Sequence, residues 1–151
     1  MKLALIRKEL SVHFSQAGFF LVEGKFVREK YDFYQLIYIN KSKTGNDLLV
    51  SFGYNFPELS SNGNKIPEEY DCTISNSVQS YLQDSLKRRS FVAYTSNFDG
   101  SDLVMEKRRL IDLYKFLNNE LISFLDKESN YQSLYLLSQS NDFYNMLLPN
   151  K

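Results

Sequence analysis

Hydrophobic residues recur at steps of three and four near the start of the chain, which predicts an amphipathic helix over residues 2–17. The apolar stripe of this helix consists of Leu3, Ile6, Leu10, Phe14 and Ala17. Gly18 is typical of a left-handed residue that ends a helix, because glycine has no Cβ. Two short apolar runs then flank the turn signal Glu23-Gly24-Lys25, so residues 19–31 are predicted to form a β-hairpin.

Regular alternation of side chains marks the two strongest strands. In the strand at residues 33–40, one face carries Tyr34, Leu36 and Tyr38. The other face carries Phe33, Gln35, Ile37 and Ile39. The strand at residues 47–56 places on one face Leu48, Val50, Phe52 and Tyr54. A polar turn at residues 41–46 joins them, and such short connections favour an antiparallel meander.

Beyond the meander the pattern is weaker. Residues 57–67 are rich in Pro, Ser, Asn and Gly and predict a loop, and residues 68–74 are compatible with a short strand. Apolar residues at helical spacing predict a helix over residues 76–89. The segment Ser90–Thr95 is rich in β-forming residues and predicts a short strand, with a loop at residues 96–101.

The longest periodic segment, residues 102–127, predicts a helix with Asp102 placed to cap it. Tyr131–Ser138 and Phe143–Leu148 predict one interrupted helix or two short ones. Helix, strands and then helices in this order predict a single α+β domain over residues 1–151. We expect an antiparallel sheet of about four to six strands, with the N-terminal and C-terminal helices packed on one face.

Length and charge suit an ordinary globular domain, since 151 residues contain 18 basic and 18 acidic side chains. The zero net charge argues against nucleic acid as the partner, because such binders usually carry a basic excess. A single cysteine cannot form an internal disulfide, which predicts a cytoplasmic protein. The apolar run at residues 3–6 is too short for an export signal, and no run is long enough to span a membrane.

The chain carries few of the side chains that do chemistry near neutral pH, since His13 and Cys72 are its single histidine and cysteine. Glu9 lies one turn before His13, where a general base would need its partner, although such pairs are more often surface contacts. Acidic residues precede Cys72, which disfavours a thiolate and indicates a buried, unreactive side chain. No phosphate loop, nucleophile elbow or zinc ligand set occurs, so we expect no enzyme activity, no cofactor and no metal.

Asp99 and Asp102 leave two alternatives open. Their spacing suits a pair of oxygen ligands for Mg²⁺ or Ca²⁺, and an enzyme that uses carboxylates alone would need such a site. No complete calcium-binding loop follows, however, and a turn that caps the next helix accounts for both residues.

Two basic triplets raise the alternative of a nucleic-acid-binding module. Lys87-Arg88-Arg89 and Lys107-Arg108-Arg109 each fall on a predicted helix, and further basic residues near the sheet turns are Lys25, Arg28, Lys30, Lys41 and Lys43. If these side chains converged with Tyr31, Tyr34 and Tyr38, they would form a platform for single-stranded RNA. Solvated helix faces and charged strand edges are the competing interpretation.

Four short motifs in the first third of the chain carry a family resemblance. They are Gly18-Phe19, Gly24-Lys25-Phe26-Val27-Arg28, Ile39-Asn40-Lys41-Ser42 and Phe52-Gly53-Tyr54-Asn55. Over about residues 10–56 this pattern resembles a bacterial family of unknown function, whose members recur as immunity proteins beside polymorphic toxins, including those of contact-dependent growth inhibition. The resemblance implies an α+β fold, a toxin as partner and no known catalytic residues.

On these grounds we expect an immunity protein that binds a cognate toxin domain and blocks its active site. Loop carboxylates would pair with a basic patch of the toxin. The chain is rich in aromatic residues, with 12 Phe and 11 Tyr, and some of the tyrosines would serve as anchors. The candidate partner-binding residues are Tyr31, Glu58, Glu68, Glu69, Tyr70, Asp71, Asp99 and Asp102.

Overall fold

The computed structural model describes residues 1–30, 33–56, 66–68, 72 and 74–127. Its helices are α1 (Leu3–Phe14), α2 (Val78–Tyr81), α3 (Ser85–Thr95), α4 (Leu103–Leu117) and α5 (Ser123–Lys127). Its strands are β1 (Phe20–Val22), β2 (Lys25–Glu29), β3 (Tyr34–Lys41), β4 (Leu48–Asn55) and β5 (Ile74–Ser77). The predicted helices at 131–138 and 143–148 lie outside the described residues.

The predicted first helix and hairpin are confirmed. After α1 the chain makes a 3₁₀ turn at Ser15–Ala17, and Gly18 then adopts the left-handed conformation with φ 84°. At the tip of the hairpin, Glu23 and Gly24 both have positive φ values of 51° and 79°. Two consecutive left-handed residues give the turn whose twist matches that of paired strands.

The five strands lie in chain order, β1-β2-β3-β4-β5, and each is antiparallel to its neighbours. The central pair, β3 and β4, is aligned over its full length, from Tyr34 opposite Asn55 to Lys41 opposite Leu48. β5 is shorter and ends opposite Ser51, so the first part of β4 extends beyond it. The meander predicted from alternation is therefore confirmed.

The two faces of the sheet have different cores. The face that carries Phe26, Ile37 and Phe52 packs against the helices, where most buried side chains of the protein lie. The opposite face carries a smaller cluster that contains Val27, Leu36, Tyr38 and Cys72. The side chains of β3 and β4 point to the faces that their alternation predicted. A fully buried large apolar side chain contributes about 1.5–3 kcal/mol, so the helix-side core dominates stability.

The helices form one layer on that larger core, and the fold is α+β. The α1 and α4 helices run side by side in the same direction, because Met1 contacts Glu106 while His13 stacks on Tyr114. The segment predicted as a helix over residues 102–127 is confirmed as α4, a π-helical turn at Asn118–Ile122 and α5.

The region between the sheet and α4 corrects two predictions. Residues up to Ser77 form β5, so the helix predicted over 76–89 begins too early, and only the single turn α2 precedes α3. The strand predicted at Ser90–Thr95 is wrong, because these residues form the second half of α3. Phe91 and Thr95, four residues apart, are buried on one side of this helix, and tertiary packing has outweighed the β propensity of the segment.

Candidate partner-binding site

The segment at residues 96–102, which joins α3 to α4, is anchored on the turn between β3 and β4. The Phe98 N–H donates to the Asn46 carbonyl at 2.8 Å, and the Asn97 N–H donates to Oδ1 of Asp47 at 3.0 Å. The Phe98 ring is fully buried in the main core. The base of this loop is therefore part of the folded body of the protein.

A buried carboxylate, that of Glu106, holds the second half of the same loop. Its Oε1 lies 2.6 Å from the amino group of Met1 and also accepts the Gly100 N–H at 3.0 Å. Its Oε2 accepts the Asp102 N–H at 3.2 Å. Glu106 is 1% exposed, and a carboxylate at such a depth requires a charged partner and several donors. Glu106 thus links the chain start, the loop and α4.

Hydrogen bonds keep the carboxylates of this region ionised. Burial raises the pKa of Glu106, but the hydrogen bonds from the Met1 ammonium and from backbone N–H groups outweigh it, so the pKa is lowered overall. The exposed Asp99 carboxylate accepts the hydroxyl and the N–H of Ser101, at 2.6 and 2.9 Å, and these bonds lower its pKa. The loop therefore presents a negative charge at neutral pH.

The structure brings two predicted site residues together, Asp99 and Asp102. Asp102 is the N-cap of α4, since its Oδ1 accepts the Met105 N–H at 3.2 Å. The interpretation of this motif as a helix-capping turn is confirmed. Within the described part of the chain, no group of three or more His, Cys, Asp or Glu side chains could hold a metal ion.

The remaining predicted site residues are not joined to this loop. Oε1 of Glu68 lies 2.9 Å from Nζ of Lys25, which alternates with Phe26 and so belongs to the sheet face away from the helices. Glu68 therefore pairs with the β1–β2 hairpin, and no ion pair among the described residues joins it to the Asp99–Asp102 loop. The other five candidates fall outside the described residues: Tyr31, Glu58, Glu69, Tyr70 and Asp71.

The single histidine and cysteine both have structural contacts. The His13 ring stacks on Tyr114 with centroids 5.2 Å apart, and Glu9, the carboxylate considered as a possible partner, lies 3.7 Å from Nζ of Lys107. Cys72 is buried, and its Sγ lies 2.9 Å from the Tyr38 hydroxyl. The expectation of a buried cysteine is confirmed.

Several residues of the alternative RNA platform have contacts within the protein, and Tyr31 lies outside the described residues. Tyr38 is 3% exposed, so its ring cannot stack on a base, and Tyr34 packs against the same cluster. Arg28 donates from Nε to Oε1 of Gln35 at 2.8 Å, and Lys41 donates to a carbonyl of the α3–α4 loop at 2.9 Å. These cations are used inside the protein.

One cavity lies at the edge of β4 beyond the end of β5, with a volume of about 240 Å³. The described residues that line it include Asn40, Leu48, Ser77 and Phe91, and none of them is ionisable. This cavity therefore offers no acid–base pair for catalysis.

Among the described helices, none has the length and apolar character needed to cross a membrane.

Sequence reasoning missed Glu106, although a signal was present. Glu106 falls on the buried stripe of α4, in step with Leu110, Leu113 and Leu117. A carboxylate at a core position indicates a buried charge that needs a partner. The partner itself, the amino group of Met1, is 105 residues away and has no local signature.

Comparison of the chain with family models, with curated proteins and with solved structures found no match.

Proposed function

We propose that the protein is an immunity protein, which binds a cognate bacterial toxin domain and neutralises it by covering its active site. The family resemblance of the first third of the chain motivates this function. One structural observation supports it above the others: an exposed acidic loop, Asp99–Asp102, is held in one conformation by Glu106 and the β3–β4 turn.

Rigidity of this loop matters because association otherwise has to order the interface. Ordering loops and side chains is part of the free-energy cost of binding, and a preformed loop avoids much of it. The ionised Asp99 then provides electrostatic complementarity to a basic patch, which accelerates encounter and selects the partner. Inhibition by such a contact requires no catalytic group in this protein.

The test is co-expression with a candidate toxin domain taken from a neighbouring gene. We expect growth to be restored, and the purified proteins to form a complex of equal stoichiometry. Failure of both rescue and complex formation would overturn the proposed function.

A matched pair of charge reversals locates the contact. Asp99→Lys should weaken the complex by at least about thirtyfold, since it places a like charge against the basic patch of the toxin. Glu29→Lys makes the same charge change at an exposed position at the end of β2 and should leave affinity within about threefold. Equal effects of the two variants would show that the loop is not the contact.

A further inference from the structure

The backbone of Leu48 points its hydrogen-bonding groups to the outer edge of β4. The Ser42 N–H donates to the Asp47 carbonyl at 2.9 Å, and the register of β3 and β4 places these two residues opposite each other. Hydrogen-bonded and non-hydrogen-bonded pairs alternate along antiparallel strands. Leu48, the next residue, therefore directs its N–H and C=O away from β3 and toward the side of β4 on which β5 lies.

The line of partners on this side of β4 has a gap at Leu48. The Phe98 N–H donates to the Asn46 carbonyl at 2.8 Å, and the pairing with β5 stops at Ser51, opposite Ser77. Within the described part of the chain, neither a backbone group nor a side chain pairs with the outward N–H and C=O of Leu48. Leu48 is only 3% exposed, and buried backbone groups are nearly always paired in folded proteins.

The cavity of about 240 Å³ lies in this gap. Its floor is apolar, because Leu48 and Val50 point into the main core and Phe91 of α3 joins them there. Leu49 and Ser51 alternate with these two residues along β4, so they line the cavity on the face of the sheet away from the helices. An apolar pocket thus adjoins a main-chain donor and acceptor.

The surroundings of the cavity favour an uncharged ligand. None of the described residues that line it is ionisable. Lys41, opposite Leu48, and Asp47, which precedes it, have opposite signs and both bind the α3–α4 loop. Arg88, one turn before Phe91 on α3, donates to a backbone carbonyl. A charged group in the cavity would lose its hydration without gaining an ion pair.

We propose that this cavity binds an extended segment of a protein partner through one uncharged, apolar side chain. The segment would lie beside β4 in line with β5 and exchange two main-chain hydrogen bonds with Leu48. A residue paired with Leu48 points its side chain to the same face of the sheet, which is the apolar floor. In strand addition to a sheet edge, main-chain bonds give affinity and such a pocket gives specificity.

Three features favour a peptide over a free small molecule or a lipid. The volume of about 240 Å³ is below the roughly 300–1,000 Å³ of typical small-molecule sites, so it suits a single side chain. The unpaired groups are a main-chain N–H and C=O, which another main chain satisfies and an acyl chain does not. The segment would also continue an interface that the fold already contains, the β4–β5 ladder.

The site is separate from the acidic loop. The described residues that line the cavity include none of Asp99–Asp102. The proposal therefore goes beyond toxin neutralisation and does not require a toxin.

Nuclear magnetic resonance of isotope-labelled protein tests the proposal with capped peptides of about nine residues. Threonines, which favour extended structure, flank a central leucine, glycine, aspartate or lysine. We expect the leucine peptide to shift the Leu48 amide signal and to bind at least about tenfold more tightly than the other three. Because no charge is involved, raising salt from about 50 to about 300 mM should change its affinity less than about twofold.

The leucine peptide with a methyl group on the central amide nitrogen is the matched ligand control. Methylation keeps the apolar side chain but removes the donor that would pair with the Leu48 carbonyl, so affinity should fall at least about tenfold. Full affinity after methylation would show that the cavity takes a side chain without strand pairing, which would overturn the proposal.

A matched pair of protein variants places the binding site. Leu49→Lys should weaken binding of the leucine peptide by at least about tenfold, because a lysine on a strand edge opposes pairing with another strand. Leu49 is 54% exposed, so the variant should remain folded. Leu86→Lys makes the same change at a 67% exposed position of α3, outside the cavity lining, and should leave affinity within about twofold.

Four outcomes would overturn the proposal. The first is no shift of the Leu48 amide with any peptide, or shifts confined to β1, the opposite edge strand. The second is equal loss of binding in the Leu49 and Leu86 variants. The third is a Leu48 amide that exchanges as slowly as the β3–β4 ladder in the free protein, since the chain itself would then fill the gap. The fourth is a Leu48 signal that changes with protein concentration alone, which would assign the edge to a second copy.

Discussion

Replacing Glu106 by Gln should destabilise the protein severely. The carboxylate is 1% exposed, lies 2.6 Å from the Met1 ammonium and accepts two backbone N–H groups. The amide would leave the ammonium buried without a counter-charge, and removing one partner of a buried ion pair costs about 3–5 kcal/mol. For a domain of this size, that loss lowers the melting temperature by roughly 6–20 °C.

Urea unfolding followed by circular dichroism measures this change. The matched control is Glu120→Gln, which removes a carboxylate that lies 3.0 Å from Nζ of Lys87 at the surface, where an ion pair contributes little to stability. If E106Q lost no more stability than E120Q, the buried pair would not have the role described for it.

Blocking the amino group provides a second arm. Acetylation of Met1 removes the positive charge of the pair, as E106Q removes the negative one. It should therefore destabilise the unsubstituted protein strongly and E106Q much less. The free energy of coupling between the two changes isolates the interaction. Additive effects of acetylation and substitution would refute the reasoning.

The same pair predicts a pH dependence. The pKa of Glu106 is lowered in the folded state, so its contribution is fully present above the ordinary value of 4.5 and is lost as the pH falls through the folded-state pKa. The stability advantage over E106Q should therefore be constant near neutral pH and shrink below about pH 4.5. An advantage that grew on acidification would contradict this sign.

Four further substitutions test the fold. Leu113→Ala should lose about 2–5 kcal/mol in urea unfolding, because Leu113 is fully buried, whereas Ile111→Ala at the surface should lose under about 1 kcal/mol. Asp84→Ala should lose about 1 kcal/mol by thermal melting, since Asp84 Oδ1 caps α3, and an unchanged melting temperature would refute that cap. Gly24→Ala should lose about 1–2 kcal/mol, because φ is +79° and the new Cβ would lie 2.9 Å from Nη1 of Arg7; a gain in stability would contradict this.

The sheet and its flanking helices could be predicted because their signals are local. Alternation in residues 33–40 and 47–56 determined which side chains face the helices, and Gly18 and Asp102 marked a helix end and a helix start. The α3 helix could not be predicted in the same way. Its second half contains Phe91, Val92 and Thr95, which favour strands by propensity but pack on α4 in the folded protein.

The candidate site was predictable in part. Asp99 and Asp102 were identified from a loop pattern and do lie together on an exposed loop. The group that fixes this loop is a carboxylate on the buried face of α4, and its partner is at the other end of the described chain. A contact between residues so far apart leaves no periodicity in the sequence. The sequence could therefore have indicated only the buried carboxylate and not its partner.

The chain order of the strands has a consequence for folding during synthesis. Every strand pairs with its predecessor, so the meander from β1 to β4 can close as soon as residue 55 has emerged. The α1 helix is synthesised before α4, against which it packs. The contacting groups of Met1 and Glu106 are 105 residues apart in the chain. At a synthesis rate of about 5–20 residues per second, the apolar stripe of α1 waits roughly 5–20 s for its final neighbour. During that interval the part of the α1 stripe that α4 later covers stays exposed, and exposed hydrophobic surface on a nascent chain favours chaperone binding.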